Sequence, residues 1–109
     1  MTKYQNRRTV VDNIPFQSKK EANRYVELKL MQKAGLISDL RLQPEFVLQP
    51  GFEKNGKKYR PIKYIADFMY LDEDGNEVVE DTKGMRTKVY KLKKKMFEYK
   101  FKNLTLKEN

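Results

Sequence analysis

Two acidic residues and one lysine in the middle of the chain have the types and the spacing needed to cleave a phosphodiester bond. Asp67 lies in one predicted strand, and Asp81 and Lys83 lie two residues apart in the next one. Side chains two apart in a strand point to the same face, and a hairpin can bring Asp67 beside them. Two carboxylates can hold a hard cation such as Mg²⁺. The lysine can orient or deprotonate a water molecule, or stabilise charge that develops on a phosphate.

Three neighbouring groups extend this candidate site. The carbonyl oxygen of Thr82 is a further candidate metal ligand, whereas Glu80 faces the opposite side of the strand and is a weaker candidate. Glu21 fits a helix capping box that begins at Ser18. Because Glu21 also shares the inward helix face with Tyr25, its carboxylate could instead join the acids as a ligand. Both roles of Glu21 stay open on the sequence.

The same groups also have purely structural interpretations. A lone carboxylate in a covered strand is costly unless it is paired or binds a metal, so Asp67 could form an ion pair with a neighbouring lysine. Lys83 could be no more than the ion-pair partner of Asp81. In that case the acids would stabilise the fold without catalysing a reaction.

The composition excludes several classes of catalytic site. The chain of 109 residues has no cysteine and no histidine, which removes disulfides, the common zinc sites and the usual catalytic triad. The length fits one domain over residues 1–109, with an irregular arm over residues 1–12. No apolar run reaches the ~20 residues that span a membrane. The N-terminus lacks the apolar segment of a signal peptide, so we expect a cytoplasmic protein.

Positive charge is concentrated in the last quarter of the chain. The formal net charge is +9, and residues 83–107 hold ten Lys/Arg and one acid, so the remainder is neutral. A basic stripe on one element is typical of proteins that bind nucleic acid. The lysines expected to contact phosphates are Lys88, Lys91, Lys94 and Lys95. The alternatives are a solvated helix face and a surface that binds an acidic protein partner.

The predicted elements follow the order α-β-β-β-α-β. The first helix begins near Ser18 and ends near Ala34, and the second is capped by Thr87 and runs to about residue 101. The predicted apolar stripe of the second helix is Val89, Leu92, Met96 and Tyr99. The predicted strands cover residues 40–48 with a break at Pro44, then residues 59–71, 77–83 and 104–106. A hairpin turn is expected at Asn55-Gly56.

The ordered set of these features resembles a known superfamily. Asp67 followed by Asp81-Thr82-Lys83 is similar to the PD-(D/E)xK signature of the restriction-endonuclease-like nucleases, with Ala66 in place of the signature proline. Together, residues 16–22, 64–68 and 79–84 look like a family of small phage and prophage proteins placed in that superfamily. The resemblance covers roughly residues 14–101.

The resemblance implies an α/β fold with a restriction-endonuclease-like core, in which a mixed, mostly antiparallel sheet is flanked by helices. It implies an endonuclease that hydrolyses DNA with Mg²⁺ or Mn²⁺ in the cytoplasm of a bacterial host, in the processing of phage or prophage DNA. It does not specify which DNA structure is cut, and branched or junction DNA are candidates. Asp67 and Asp81 would be ligands, Lys83 the catalyst on the side of the water, and Glu21 a helix-borne ligand. Cutting two strands would require a homodimer. The alternative is a non-catalytic nucleic-acid-binding module on the same fold.

Overall fold

A computed structural model describes residues 8–82 and 87–109 of the chain, so Lys83 and most of the expected N-terminal arm lie outside the described residues. The elements in chain order are β1 (Thr9–Val11), β2 (Ile14–Phe16), α1 (Lys19–Lys33), β3 (Ser38–Leu42), β4 (Glu45–Gln49), β5 (Phe52–Lys54), β6 (Lys57–Tyr59), β7 (Ile62–Ile65), β8 (Phe68–Leu71), β9 (Glu77–Asp81), α2 (Lys88–Lys100) and β10 (Thr105–Glu108).

The architecture is mixed α/β, with mainly antiparallel sheets and two helices. A four-stranded sheet has the order β10-β9-β8-β3. Strand β8 is antiparallel to both β3 and β9, and β10 is parallel to β9 after the crossover through α2. Three further pairs, β1-β2, β4-β7 and β5-β6, are antiparallel. No helix in the described part of the chain is long and apolar enough to cross a membrane.

The two helices cover opposite faces of the central sheet. Tyr25 and Leu28 of α1 pack in one core cluster with Phe68 of β8. Phe97 of α2 packs in a second cluster with Met69, the next residue of β8. Because successive strand residues point to opposite faces, the sheet is buried on both sides. The end of β9 is therefore enclosed between the helices.

Local signals predicted both helices correctly. Ser18 caps α1 by accepting a hydrogen bond from the Glu21 amide, and Gly35 follows the helix with a φ of 82°. Such a positive φ strains residues that carry a Cβ, which is why glycine suits this position. Thr87 caps α2 by accepting from the Tyr90 amide.

The predicted apolar stripe of α2 is wrong for three of its four residues, and only Met96 packs, partly buried, against the core. Val89, Leu92 and Tyr99 are exposed, and Tyr99 keeps 75% of its surface in solvent. The buried residues are Tyr90 and Phe97. Both phases have helical spacing, but the buried one presents aromatic rings to the core and so removes more apolar surface from water.

Two strand predictions also need correction. Residues 59–71 belong to three strands, β6, β7 and β8, instead of one. Pro61 breaks the chain between β6 and β7. The second break, at residues 66–67, is where the chain stops pairing with β4 and begins to pair with β9. Residues 9–12, predicted as part of the irregular arm over residues 1–12, belong instead to the β1-β2 hairpin, which spans residues 9–16. Pro44 separates two strands, β3 and β4, which belong to different sheets.

Candidate active site

Asp67 lies at the fork where β7 ends and β8 begins. Strand β7 pairs with β4, whereas β8 pairs with β9. The backbone of Asp67 joins three segments, because its carbonyl accepts from the Gln43 amide at 2.9 Å and its amide donates to the Glu80 carbonyl at 3.1 Å. Since both backbone groups are used, the position of Asp67 is fixed relative to β9.

The Asp67 carboxylate is bound to the residue that follows Asp81. Its Oδ2 accepts hydrogen bonds from the amide and from the hydroxyl of Thr82, both at 2.7 Å. Over residues 8–82 and 87–109 no ion pair to Asp67 is found, so the expectation of a simple lysine partner has no support there. The structure therefore brings Asp67, Thr82 and the end of β9 together.

Asp81 is fully buried at the end of β9 on the face covered by α2. Val79, two residues earlier, belongs to the cluster that contains Phe97. The Tyr64 hydroxyl donates a hydrogen bond of 2.5 Å to Asp81 Oδ2. Burial raises the pKa of Tyr64 well above its usual value, and the Asp81 carboxylate raises it further. Tyr64 is therefore a neutral donor that holds the Asp81 carboxylate in one orientation.

Glu80 faces α1, as the strand alternation predicts, and it is bound in a structural network. Arg24 donates from Nε to Oε1 at 2.8 Å and from Nη2 to Oε2 at 2.7 Å, which is a two-point ion pair. Tyr70 and Asn109 also donate to this carboxylate. Burial raises the pKa of Glu80, but the hydrogen bonds outweigh it and hold the pKa below its ordinary value. Glu80 thus anchors β9 to α1 immediately before Asp81.

Glu21 is buried on the face of α1 that also carries Ala22 and Tyr25. Its backbone amide makes the cap bond to Ser18. In residues 8–82 and 87–109 no group of three or more acidic side chains is close enough to hold one metal ion. The structure therefore does not assemble Glu21, Asp67 and Asp81 into such a group, and the two proposed roles of Glu21 stay predictions.

A basic cavity of about 480 Å³ opens beside Thr82. It is lined by Lys19, Lys20, Asn23, Arg24, Glu27, Thr82 and Asn109. These cations were not predicted from the sequence as part of the site. The sequence did contain an indication of them. Lys19 and Lys20 lie in the first turn of α1, where the helix dipole favours acidic side chains, so two lysines there are unusual and could have suggested an anion-binding role.

The predicted phosphate-binding lysines are distributed along α2. Lys88, Lys91 and Lys95 are exposed. Lys94 is half-buried and forms an ion pair with Glu108 at 3.3 Å. Three of the four predicted lysines are therefore accessible to solvent, and the fourth, Lys94, is ion-paired with a residue of β10.

No curated protein and no solved structure matches the chain significantly. A family model described as "Protein of unknown function (DUF1064)" matches residues 1–108, so the chain belongs to the DUF1064 family.

Proposed function

We propose that this protein is a metal-dependent endodeoxyribonuclease that hydrolyses phosphodiester bonds of DNA, on a restriction-endonuclease-like core. The observation that carries the proposal is the connection between Asp67 and the end of β9. Thr82 binds the Asp67 carboxylate with two hydrogen bonds and directly follows Asp81. Two acids separated by fourteen residues in the sequence are thereby held at one end of one strand pair.

The donor chemistry at this position fits Mg²⁺ or Mn²⁺. These cations prefer oxygen ligands, and Mg²⁺ commonly uses only one or two carboxylates with water and substrate phosphate for the rest. Both hydrogen bonds from Thr82 go to Oδ2 of Asp67, and none reaches Oδ1 from the described residues. Asp67 and Asp81 would hold the cation, and a bound cation would neutralise charge on the scissile phosphate. The Thr82 carbonyl is an additional proposed ligand. Glu21 would become a ligand only if metal binding drew its carboxylate toward the two aspartates, since the three acids do not form one group in the described part of the chain.

The protein groups around the acids have separate tasks in this proposal. Lys83 would position the attacking water and stabilise the charge that develops on the phosphate. Tyr64 orients Asp81 through its hydroxyl. The Arg24–Glu80 ion pair fixes the strand that carries Asp81. Arg24 acts through the fold and is a positioning residue.

The charge distribution supports a polyanionic substrate. The cavity beside Thr82 carries Lys19 and Lys20 from α1, whereas its third cation, Arg24, is already paired with Glu80 and Glu27. The exposed lysines Lys88, Lys91 and Lys95 add positive charge along α2. A DNA strand with its scissile phosphate at Asp67 would have cationic side chains available near that phosphate. Cleavage of both strands, or of a symmetric junction, would need a two-fold dimer.

Two observations favour a second candidate, a nucleic-acid-binding module without catalysis. The Asp81 carboxylate is fully buried and accepts from Tyr64, and the described residues contain no cluster of three acids. In this alternative Asp67 and Asp81 connect strands, and the basic surfaces bind DNA without cleaving it. The two candidates differ only in what happens to the bound DNA.

A panel of substrates and metals tests the proposal. Purified protein is incubated with linear duplex, branched and single-stranded DNA in Mg²⁺, Mn²⁺ or Co²⁺, with EDTA as the metal-free control. We expect strand cleavage of at least one DNA form that requires the metal. Asp67→Asn, purified in the same way, controls for contaminating nucleases and is expected to be inactive. Normal DNA binding without cleavage in any metal would replace the nuclease with the binding module.

A further inference from the structure

Residues 51–60 form an exposed two-stranded arm, which we call the β5-β6 arm. Every residue from 51 to 60 is exposed. Within the part of the chain that the structure describes, β5 and β6 pair only with each other. The arm continues the β4-β7 ribbon, whose Phe46, Leu48 and Tyr64 are buried against α2. One end of the ribbon is therefore anchored in the core, and the other end is in solvent.

The arm has a defined shape. Asn55 and Gly56 have φ values of 53° and 77°, as expected for the two central residues of a type I′ hairpin turn. At its base, a Cβ on Gly51 would lie 3.0 Å from the Tyr59 carbonyl oxygen and 3.3 Å from Cδ of Pro61. A larger residue at position 51 would force these strands apart. The turn at Asn55-Gly56 and the close approach at Gly51 thus define the two ends of the arm.

The charge of the arm is not explained by folding. Residues 52–63 contain five Lys/Arg and one acid, Glu53. Lys54 lies directly opposite Lys57 across the hairpin, and like charges in directly opposed positions destabilise a β-ladder. Lys57 gains only a contact with the exposed Tyr59 ring, and the described residues give Lys54 and Lys57 no acidic partner. A negatively charged partner therefore best explains the repulsion.

Two aromatic rings lie on the same face as these lysines. Phe52 and Tyr59 are cross-strand partners, and their rings stack with centroids 4.6 Å apart and an interplanar angle of 11°. They remain 45% and 40% exposed. The Lys57 amine lies 5.1 Å from the centre of the Tyr59 ring. Alternation along the strands puts Lys54 and Lys57 on this face as well, so the face combines cations with apolar rings.

We infer that the β5-β6 arm is a DNA-binding ribbon that lies in a groove of duplex DNA outside the candidate active site. The major groove of B-DNA, about 12 Å wide, admits a two-stranded ribbon. Lys54 and Lys57 would contact phosphates beside the Phe52–Tyr59 pair, which would contact sugars and base edges. Lys58, on the opposite face across from Glu53, would contact a phosphate from that side. This inference rests on the proposed DNA substrate but does not require cleavage.

Binding measured without metal separates the arm from the chemistry. We use a 30-base-pair duplex in EDTA and compare wild type with Lys54→Gln/Lys57→Gln/Lys58→Gln. The matched control, Lys29→Gln/Lys33→Gln/Lys107→Gln, removes the same charge from other exposed positions. We expect the arm variant to bind at least about tenfold more weakly, while the control changes less than about twofold. The slope of log K against log salt should fall by about 0.9 for each phosphate that the variant no longer binds.

A residue-level readout completes the test. In a ¹⁵N NMR titration with the duplex, the amide signals of residues 52–60 should shift in wild type, and Phe52→Ala/Tyr59→Ala should weaken binding with the lysines intact. The inference is overturned if the arm variant matches either the wild type or the control variant in affinity and salt slope. It is also overturned if only single-stranded DNA or an acidic protein shifts the arm signals. Failure of cleavage alone, with these binding results intact, would remove the nuclease and leave the arm.

Discussion

The carboxylate of Asp67 accepts two hydrogen bonds from Thr82, and both end on the same oxygen, Oδ2. The two donors lie at equal distances of 2.7 Å and belong to the residue after Asp81. This interaction links the junction of β7 and β8 to the end of β9. It fixes the direction of the Asp67 carboxylate, which a metal ligand requires.

Loss of the Thr82 hydroxyl should lower the affinity of the site for Mg²⁺. Thr82→Val keeps the shape and the backbone amide but removes one of the two hydrogen bonds to Asp67. Groups that orient a metal ligand typically change metal affinity by about 10–100-fold. We expect the Mg²⁺ concentration for half-maximal cleavage to rise by about tenfold or more. The measurement is cleavage rate against Mg²⁺ concentration, with Thr82→Ser as the control that keeps the hydroxyl. An unchanged Mg²⁺ dependence in Thr82→Val would show that this hydrogen bond is only structural.

The ion pair between Arg24 and Glu80 should dominate local stability. Arg24→Met leaves the buried Glu80 carboxylate without its charged partner, which typically costs about 3–5 kcal/mol. Urea denaturation at neutral pH measures the free energy of unfolding. The exposed Lys29→Met on the same helix is the matched control and should cost less than about 0.5 kcal/mol.

A double mutant separates the pair from simple loss of packing. Arg24→Met/Glu80→Gln should recover much of the stability that Arg24→Met removes, because no charge then remains buried. If the double mutant is destabilised by the sum of the two single effects, the two residues do not interact energetically. The claim that their ion pair anchors β9 to α1 would then be wrong.

Much of the local structure could be predicted from short segments of sequence. The caps at Ser18 and Thr87 and the turn at Asn55-Gly56 depend on residues within a few positions, so the sequence contains their whole cause. The opposite faces of Glu80 and Asp81 follow from strand alternation alone.

The remainder depends on contacts between distant residues. Arg24 and Glu80 are 56 positions apart, and no local pattern pairs them. The phase of α2 was wrong because two apolar stripes compete, and packing of Phe97 against Phe46 and Tyr64 decides between them. The break before Asp67 arises because one continuous apolar run pairs first with β4 and then with β9.

Stability should fall at alkaline pH through Tyr64. Its folded-state pKa is raised, so the unfolded chain releases the proton above about pH 10 while the folded chain keeps it. The contribution of Tyr64 to the free energy of unfolding is therefore fully present below about pH 10. It falls by about 1.4 kcal/mol for each pH unit above that. Tyr64→Phe should reduce that slope by the same amount, and the exposed Tyr99→Phe is the control. If the free energy of unfolding falls equally steeply with pH in wild type and in Tyr64→Phe, the raised pKa of Tyr64 is not the cause.

The exposed lysines of α2 should contribute to DNA affinity without specifying sequence. Lys91→Gln/Lys95→Gln should weaken binding to unrelated duplexes equally and lower the salt slope by about 0.9 for each phosphate that is no longer bound. Fluorescence anisotropy at several salt concentrations in EDTA measures both quantities. Lys29→Gln/Lys33→Gln is the charge-matched control on α1. If both double variants behave like the wild type, α2 presents a solvated face and the DNA lies elsewhere.

The central claim is tested most directly by Asp81→Asn, with cleavage and binding measured on the same protein samples. The account predicts that Mg²⁺-dependent cleavage falls by about 10³-fold or more, a loss of about 4 kcal/mol of transition-state stabilisation. DNA affinity in EDTA should hold or rise, because one negative charge is removed. Asp74→Asn, in the exposed turn between β8 and β9, makes the same chemical change and should cleave like the wild type. Cleavage by Asp81→Asn at the wild-type rate would contradict the account.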